Sequence, residues 1–143
     1  MSERAFVREW APRIDAYIAR VQGTHAPLYG HGECFARSAY RGKMDPRWLP
    51  VISFFESNCG LAAWGTYNCY GWGVTDSGAT SVAYANGYDS MIAFILENAS
   101  GRGNGWAGSK VLSEYTSIEE LDDEYCSSSA GRVALIKAHM MSI

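Results

Sequence analysis

Between positions 45 and 73 the chain reads DPRWLPVISFFESNCGLAAWGTYNCYGWG, and from 48 to 55 it is apolar nearly all round. A helix with that pattern cannot lie on a surface with one face in water, so the rest of the chain has to be built around it. One carboxylate interrupts the pattern: Leu49, Ile52 and Glu56 follow at spacings of three and four, which puts Glu56 on a face shared with core residues. The sequence predicts Asp45 as N-cap and Pro46 at the first helical position, where a missing N–H costs nothing. Pro50, one turn on, is expected to bend the start of the helix without abolishing it. Asn58 and Gly60 supply a left-handed close.

The flanking segments read mostly as helices. Phe6, Trp10, Ile14, Tyr17, Ile18 and Val21 recur at helical spacing, with Pro12 expected to break that helix or to start its main part. Residues 24–32, containing Pro27, Gly30 and Gly32, read as loop. A short helix is expected over 33–41, with Phe35, Ala36, Ala39 and Tyr40 on one side and Gly42 as its stop. Residues 74–84 alternate β-branched and small residues around Asp76-Ser77-Gly78, the pattern of a short hairpin. Asn86-Gly87 then turns the chain into a helix over 88–99 with Met91, Ile92, Ile95 and Leu96 facing inward. The glycines of 101–105 follow no strand and make no phosphate-binding loop. Ser117 with Glu120 forms a capping box for a short helix reaching 125, and Val133, Ile136 and Met140 align on a final one. The sum is a predominantly α-helical α+β domain of about six helices and one hairpin, with no internal repeat.

At 143 residues, 48% of them apolar, the chain suits a single domain, 1–143, with a real core. A net charge of -3 and the absence of any Lys/Arg run argue against nucleic acid as a partner. No apolar run approaches the roughly 20 residues that span a bilayer, so no membrane partner is expected, and MSERAFVREW lacks the apolar core of a secretory signal. The four cysteines, Cys34, Cys59, Cys69 and Cys126, allow three pairings. Cys59 and Cys69 bracket a glycine-rich loop that a disulfide would pin in an oxidising compartment; in a reducing one all four are small buried hydrophobes. Their spacing with His31 fits no zinc site, and neither metal nor cofactor is expected.

Chemistry concentrates at Glu56. A lone Glu on an apolar face is most often an ion-pair or capping residue. Its alternative is functional, because removal from water favours the neutral form of a carboxylic acid, which can hand its proton to a leaving oxygen. The residues that follow favour this alternative. Tyr67, Asn68, Tyr70, Gly71, Trp72 and Gly73 form the kind of aromatic loop that stacks on sugar rings while polar edges bind hydroxyl and acetamido groups, although with aromatics at 13% of the chain Tyr70 or Trp72 also reads as core. Asp122, Asp123 and Glu124 read as a solvated face, and His25, His31 and His139, with no Ser or Cys at motif spacing, as structural or exposed.

The run DPRWLPVISFFES followed by YNCYGWG resembles the bacterial and phage peptidoglycan hydrolases of lysozyme-like fold. It is most similar to the endo-β-N-acetylglucosaminidase group, in which a D-P-x-x-L-P-x-I-x-x-x-E-S-x-x-G helix precedes Y-N-x-F-G. PLYGHGECFARSAY upstream, and GYDSMIAFI and YTSIEELDDEYC downstream, resemble neighbouring segments, so the likeness covers about 27–143. It implies a lysozyme-like fold, Glu56 as general acid, Tyr67 and Asn68 at a sugar-binding cleft, and Tyr88 near the active site; Tyr70 stands where a Phe is usual. It also implies a monomer acting on peptidoglycan glycan strands, secreted to the cell wall or encoded by a phage as a lysin (endolysin) or virion component.

Such enzymes pair the acid with a second carboxylate, about 5–5.5 Å away for retention and about 6.5–9.5 Å for inversion. The only acid in the expected hairpin is Asp76, which also reads as an ordinary turn residue. Without it, the reaction relies on the substrate's 2-acetamido group or follows the lytic transglycosylase route. Muramidase and transglycosylase therefore stay open beside glucosaminidase, and a non-catalytic wall-binding module stands as the alternative of another class.

Overall fold

The computed structural model describes residues 1–63, 67, 69, 70, 87–99 and 130–143, with side chains described to 93 in the fourth helix and from 134 in the fifth. Within them the chain forms five helices: α1 (Glu3–Val21), α2 (Gly32–Gly42), α3 (Trp48–Ser57), α4 (Tyr88–Ala99) and α5 (Ala130–Met141). No strand occurs among the described residues. The α-rich class is as the sequence predicts. The expected hairpin at 74–84 and helix at 117–125 lie outside the described residues.

α1 buries Val7, Ala11, Ile14, Tyr17 and Ile18, the i, i+3, i+4 stripe of an amphipathic helix, and Ser2 caps it by accepting from the Ala5 N–H at 3.2 Å. Pro12 neither breaks nor starts it. An interior Pro forfeits one backbone bond at about 3 kcal/mol, but Pro12 lies on the exposed side while residues before and after it dock in the same core.

α2 packs against α1 and α4, and α3 against α1 and α5. The approach of α2 to α1 is set by Asp15, whose Oδ1 accepts from the N–H groups of Gly30 and Gly32 at 3.0 Å each. α2 ends one residue beyond the expected glycine, at Lys43, which takes the left-handed conformation (φ 55°) while its N–H returns to the carbonyls of Ala39 and Tyr40.

α3 is the central element. Trp48, Leu49, Val51, Ile52 and Ser53 are at most 2% exposed. Its start differs from the sequence expectation: Arg47 is the N-cap, and Asp45 spends its carboxylate on the Arg47 N–H at 2.9 Å and on the Arg47 guanidinium at 2.7 Å. Such local side-chain bonding competes with helix formation. Pro50 then falls in the first turn, among the residues whose N–H groups have no partner inside a helix, so it forfeits nothing. The C-terminus closes as expected, with Asn58 at φ 51°; Cys59 and Gly60 also have positive φ, and this tight reversal sends the Leu28 N–H to the Cys59 carbonyl at 3.1 Å.

Candidate functional site

Glu56 occupies the last turn of α3 and is half-buried, flanked by the half-buried Phe55 and the buried Ser57. The helix thus carries its single carboxylate at the edge of the core, less enclosed than its apolar pattern predicts. Phe54 and Phe55 point elsewhere: both pack on His139 of α5, with ring centroids 5.1 and 5.2 Å away.

A further seam of α3, through Ser53 and Ser57, is polar and buried. Ser53 Oγ donates to the Pro50 carbonyl at 2.6 Å, Ser57 Oγ donates to the Ser53 carbonyl at 3.2 Å, and the Gly60 N–H donates to Ser57 Oγ at 3.1 Å. These bonds stitch the end of α3 to the turn that follows it. Cys59 and Cys69 lie against this seam, both fully buried and both free thiols. Burial pushes the Cys59 thiol up to about 11 and the Cys69 thiol up to about 12, against the opposing pull of Ser53 on the first and Ser57 on the second. Neither sulfur is a nucleophile at neutral pH. The two stand near one another at the Gly60 turn, where Cys69 Sγ is 3.3 Å from the position a Cβ would take on Gly60.

Two of the tyrosines named from the sequence meet. Tyr67 and Tyr88 pack edge to face with centroids 4.8 Å apart and planes at 84°, joining the loop after α3 to the start of α4. Tyr67 has φ 68°, a left-handed conformation that a bulky residue seldom adopts and that costs of order 1–3 kcal/mol. The Tyr88 phenol is raised above its ordinary range chiefly by burial, then by its neighbours Cys69 and Tyr67, so it stays protonated and able to donate.

Tyr70 takes the core position that the sequence leaves open for it beside the sugar-binding one. It is 3% exposed and its hydroxyl donates to the Leu49 carbonyl at 2.9 Å, so its ring is core packing and offers no open face for a sugar. Asn68, Trp72 and Asp76 lie outside the described residues.

A group the spacing rules passed over sits beside Tyr88. His31 Nδ1 is 2.7 Å from Asp89 Oδ1, and the imidazole packs edge-on to the Tyr88 ring at 5.4 Å. The partner lies 58 positions along the chain, beyond any motif; an Asp in the first turn of a helix reads locally as dipole pairing.

Among the described residues no three His, Cys, Asp or Glu side chains gather in a way that could hold a metal. No described helix is long and apolar enough to cross a membrane. An open groove of about 510 Å³ between α1 and α2, lined by Glu3, Arg4, Arg8, Glu33 and Arg37 among others, contains none of the site residues. Its Arg37 pairs with both Glu3 and Glu33 at 3.5 Å, which makes it a solvated, charge-paired surface. Comparison with family models, with curated proteins and with solved structures gives no match.

Proposed function

We propose that the chain is a peptidoglycan hydrolase of lysozyme-like fold that cuts the glycan strand, as an endo-β-N-acetylglucosaminidase with Glu56 as general acid. The observation that carries the proposal is Glu56, a half-buried residue in the last turn of the most enclosed helix. A carboxyl group at the end of a rigid helix, at the edge of the core, is placed to act as a general acid toward a leaving oxygen. The Tyr67–Tyr88 pair supplies aromatic surface of the kind that recognises sugars. In this proposal residues 74–84 form the hairpin wall of the cleft with Trp72 and Asn68 beside it, and Asp76 is the one acid of that hairpin. The chain acts as a monomer on wall glycan, outside the cytoplasm or after phage-driven lysis. In that oxidising setting Cys59 and Cys69 form a bridge across the Gly60 turn, detectable as an intact mass lighter by two hydrogens.

Digestion of purified peptidoglycan and mass spectrometry of the fragments tests the assignment. Reducing-end GlcNAc identifies the glucosaminidase, reducing-end MurNAc a muramidase, and a 1,6-anhydro-MurNAc end a lytic transglycosylase. Glu56→Gln is expected to lower turnover by roughly 100- to 10,000-fold, the range for removing a general acid, while wall binding persists. A wild-type protein that clears no cell-wall suspension yet binds it is the non-catalytic wall-binding module.

A further inference from the structure

His31 stands at the N-cap of α2 but does not cap it; no side-chain bond from it reaches the first turn of that helix. Its imidazole turns instead to Asp89 in the first turn of α4. Cys34, three residues on, donates its S–H to the Asp89 carbonyl at 3.6 Å, a second tie between the same two helices. Asp89 adjoins Tyr88 in the chain, so the carboxylate that holds the imidazole belongs to the residue next to the ring on which the imidazole rests. Four groups thus form one contiguous line, Asp89 to His31 to Tyr88 to Tyr67, drawn from α2, α4 and the loop after α3.

Stability does not account for the arrangement. The Asp89 side chain is 66% exposed, and exposed pairs contribute little to folding. What a short, directed bond does supply is orientation: the carboxylate fixes the imidazole at Nδ1, and the imidazole edge fixes the Tyr88 ring. Nε2 makes no hydrogen bond among the described residues.

We infer that Asp89 and His31 are positioning residues for sugar binding, holding the Tyr88 ring edge-on to Tyr67 and so shaping the aromatic wall that a pyranose ring meets. The inference rests on the glycan proposal above and adds to it residues that do not themselves touch substrate.

Spectroscopy, binding and kinetics on the full chain test it. In protein labelled with 3-fluorotyrosine, with the Tyr88 resonance assigned through Tyr88→Phe, His31→Ala shifts that resonance and Asp89→Ala shifts it alike. In a Glu56→Gln background, where binding is read without turnover, the half-saturating concentration of peptide-free glycan strands rises roughly threefold to tenfold in His31→Ala, the size expected for losing one oriented aromatic contact. In the active enzyme the same change appears in KM with kcat altered less than about twofold. His31→Gln keeps an N–H donor for Asp89 and recovers most of the affinity, which a merely structural loss would not permit. The Asp89→Ala/His31→Ala pair is no worse than either single variant, as coupled residues require. Unchanged glycan affinity in His31→Ala, beside a Glu56→Gln protein that binds, overturns the inference and leaves the hydrolase proposal standing. A Glu56→Gln protein and a wild type that both fail to bind strands overturn the glycan proposal and the inference together.

Discussion

The hydroxyl of Tyr70 donates to the main-chain carbonyl of Leu49 at 2.9 Å, tying the loop that follows α3 back onto the first turn of the same helix. The two are 21 positions apart in the chain, and between them lie Glu56 and the Gly60 turn. The bond therefore closes a loop around the candidate acid. Tyr70→Phe keeps the ring and removes only the donor, and is expected to destabilise the fold by about 1 kcal/mol, the usual net worth of one buried neutral hydrogen bond. Urea unfolding measures it. If the hydroxyl instead bound a sugar, the variant would keep its stability and lose glycan affinity.

His139 makes stability depend on pH. Its imidazole is stacked on Phe54, meets Phe55 and Tyr17 edge-on, and lies 2.9 Å from the Tyr17 hydroxyl. Burial, and then the nearby positive charge of Arg20, hold its pKa below the ordinary 6.5. The Tyr17 phenol is itself raised by burial and so remains a donor, which suits a neutral imidazole accepting at Nδ1. Because the folded state binds this proton more weakly than the unfolded chain, the unfolded state carries more protons between the two pKa values. Stability is then complete above about pH 6.5 and is lost as pH falls through the lowered folded value. Thermal melts between pH 8 and 5 are expected to show this decline, and His139→Gln to flatten it. A melting temperature that rises on acidification would contradict the assignment.

Much of this architecture is legible in the sequence because it depends on local period. The Ile14, Tyr17 and Ile18 stripe of α1, the Asn58 close of α3 and the span of α4 follow from spacing and turn chemistry over a few residues. Phe6, Trp10 and Val21 of the expected stripe, by contrast, are only half-buried, and Val7 and Ala11 take the inner face instead. What spacing misses involves choices between equally local options or partners far along the chain. Asp45-Pro46 reads as a cap, yet the Arg47 guanidinium and N–H claim the Asp45 carboxylate and the helix starts later. Tyr67 and Tyr70 read alike as aromatic loop residues; only the fold separates a ring packed on Tyr88 from a ring sealed against Leu49. His31 carries no local sign of Asp89. For the candidate site, Glu56, Tyr67 and Tyr88 are each named by pattern and resemblance, whereas the packing of Tyr67 on Tyr88 and the His31–Asp89 pair come only from the fold.

Gly32 is fixed by proximity and not by its backbone angles. A methyl group there would overlap the carbonyl oxygen of Ala11 and come within 2.9 Å of the Asp15 carboxylate, which is already bonded to the Gly32 N–H. Neither neighbour yields easily, one being helix backbone and the other a carboxylate held by two N–H groups. Gly32→Ala is expected to destabilise the fold by roughly 2 kcal/mol or more through overpacking of α1 against α2. Gly30→Ala gives a contrast, because its Cβ site is empty within 4 Å and only its positive φ of 92° resists the change. Chemical denaturation of the two variants should rank Gly32→Ala as the more damaging.

The buried thiols give a last, direct readout of the α3 seam. Cys59 and Cys69 are fully buried, and burial raises both to between about 11 and about 12, so at pH 8 neither has an appreciable thiolate fraction nor a path to reagent. Cys34 is half-buried and raised to about 11 by burial and by the Asp89 charge, so it too reacts slowly, though reagent can reach it. Under reducing conditions, iodoacetamide at pH 8 is expected to leave Cys59 and Cys69 unmodified in the folded protein and to label both after denaturation. Peptide mass spectrometry distinguishes the sites. Ser57→Ala removes the hydroxyl that receives the Gly60 N–H and lies against Cys69, leaving that N–H without its side-chain acceptor. That variant should loosen the turn and raise the native-state labelling of Cys69 above that of the wild type; labelling that stays unchanged would mean that the Ser57 bond does not hold the turn closed.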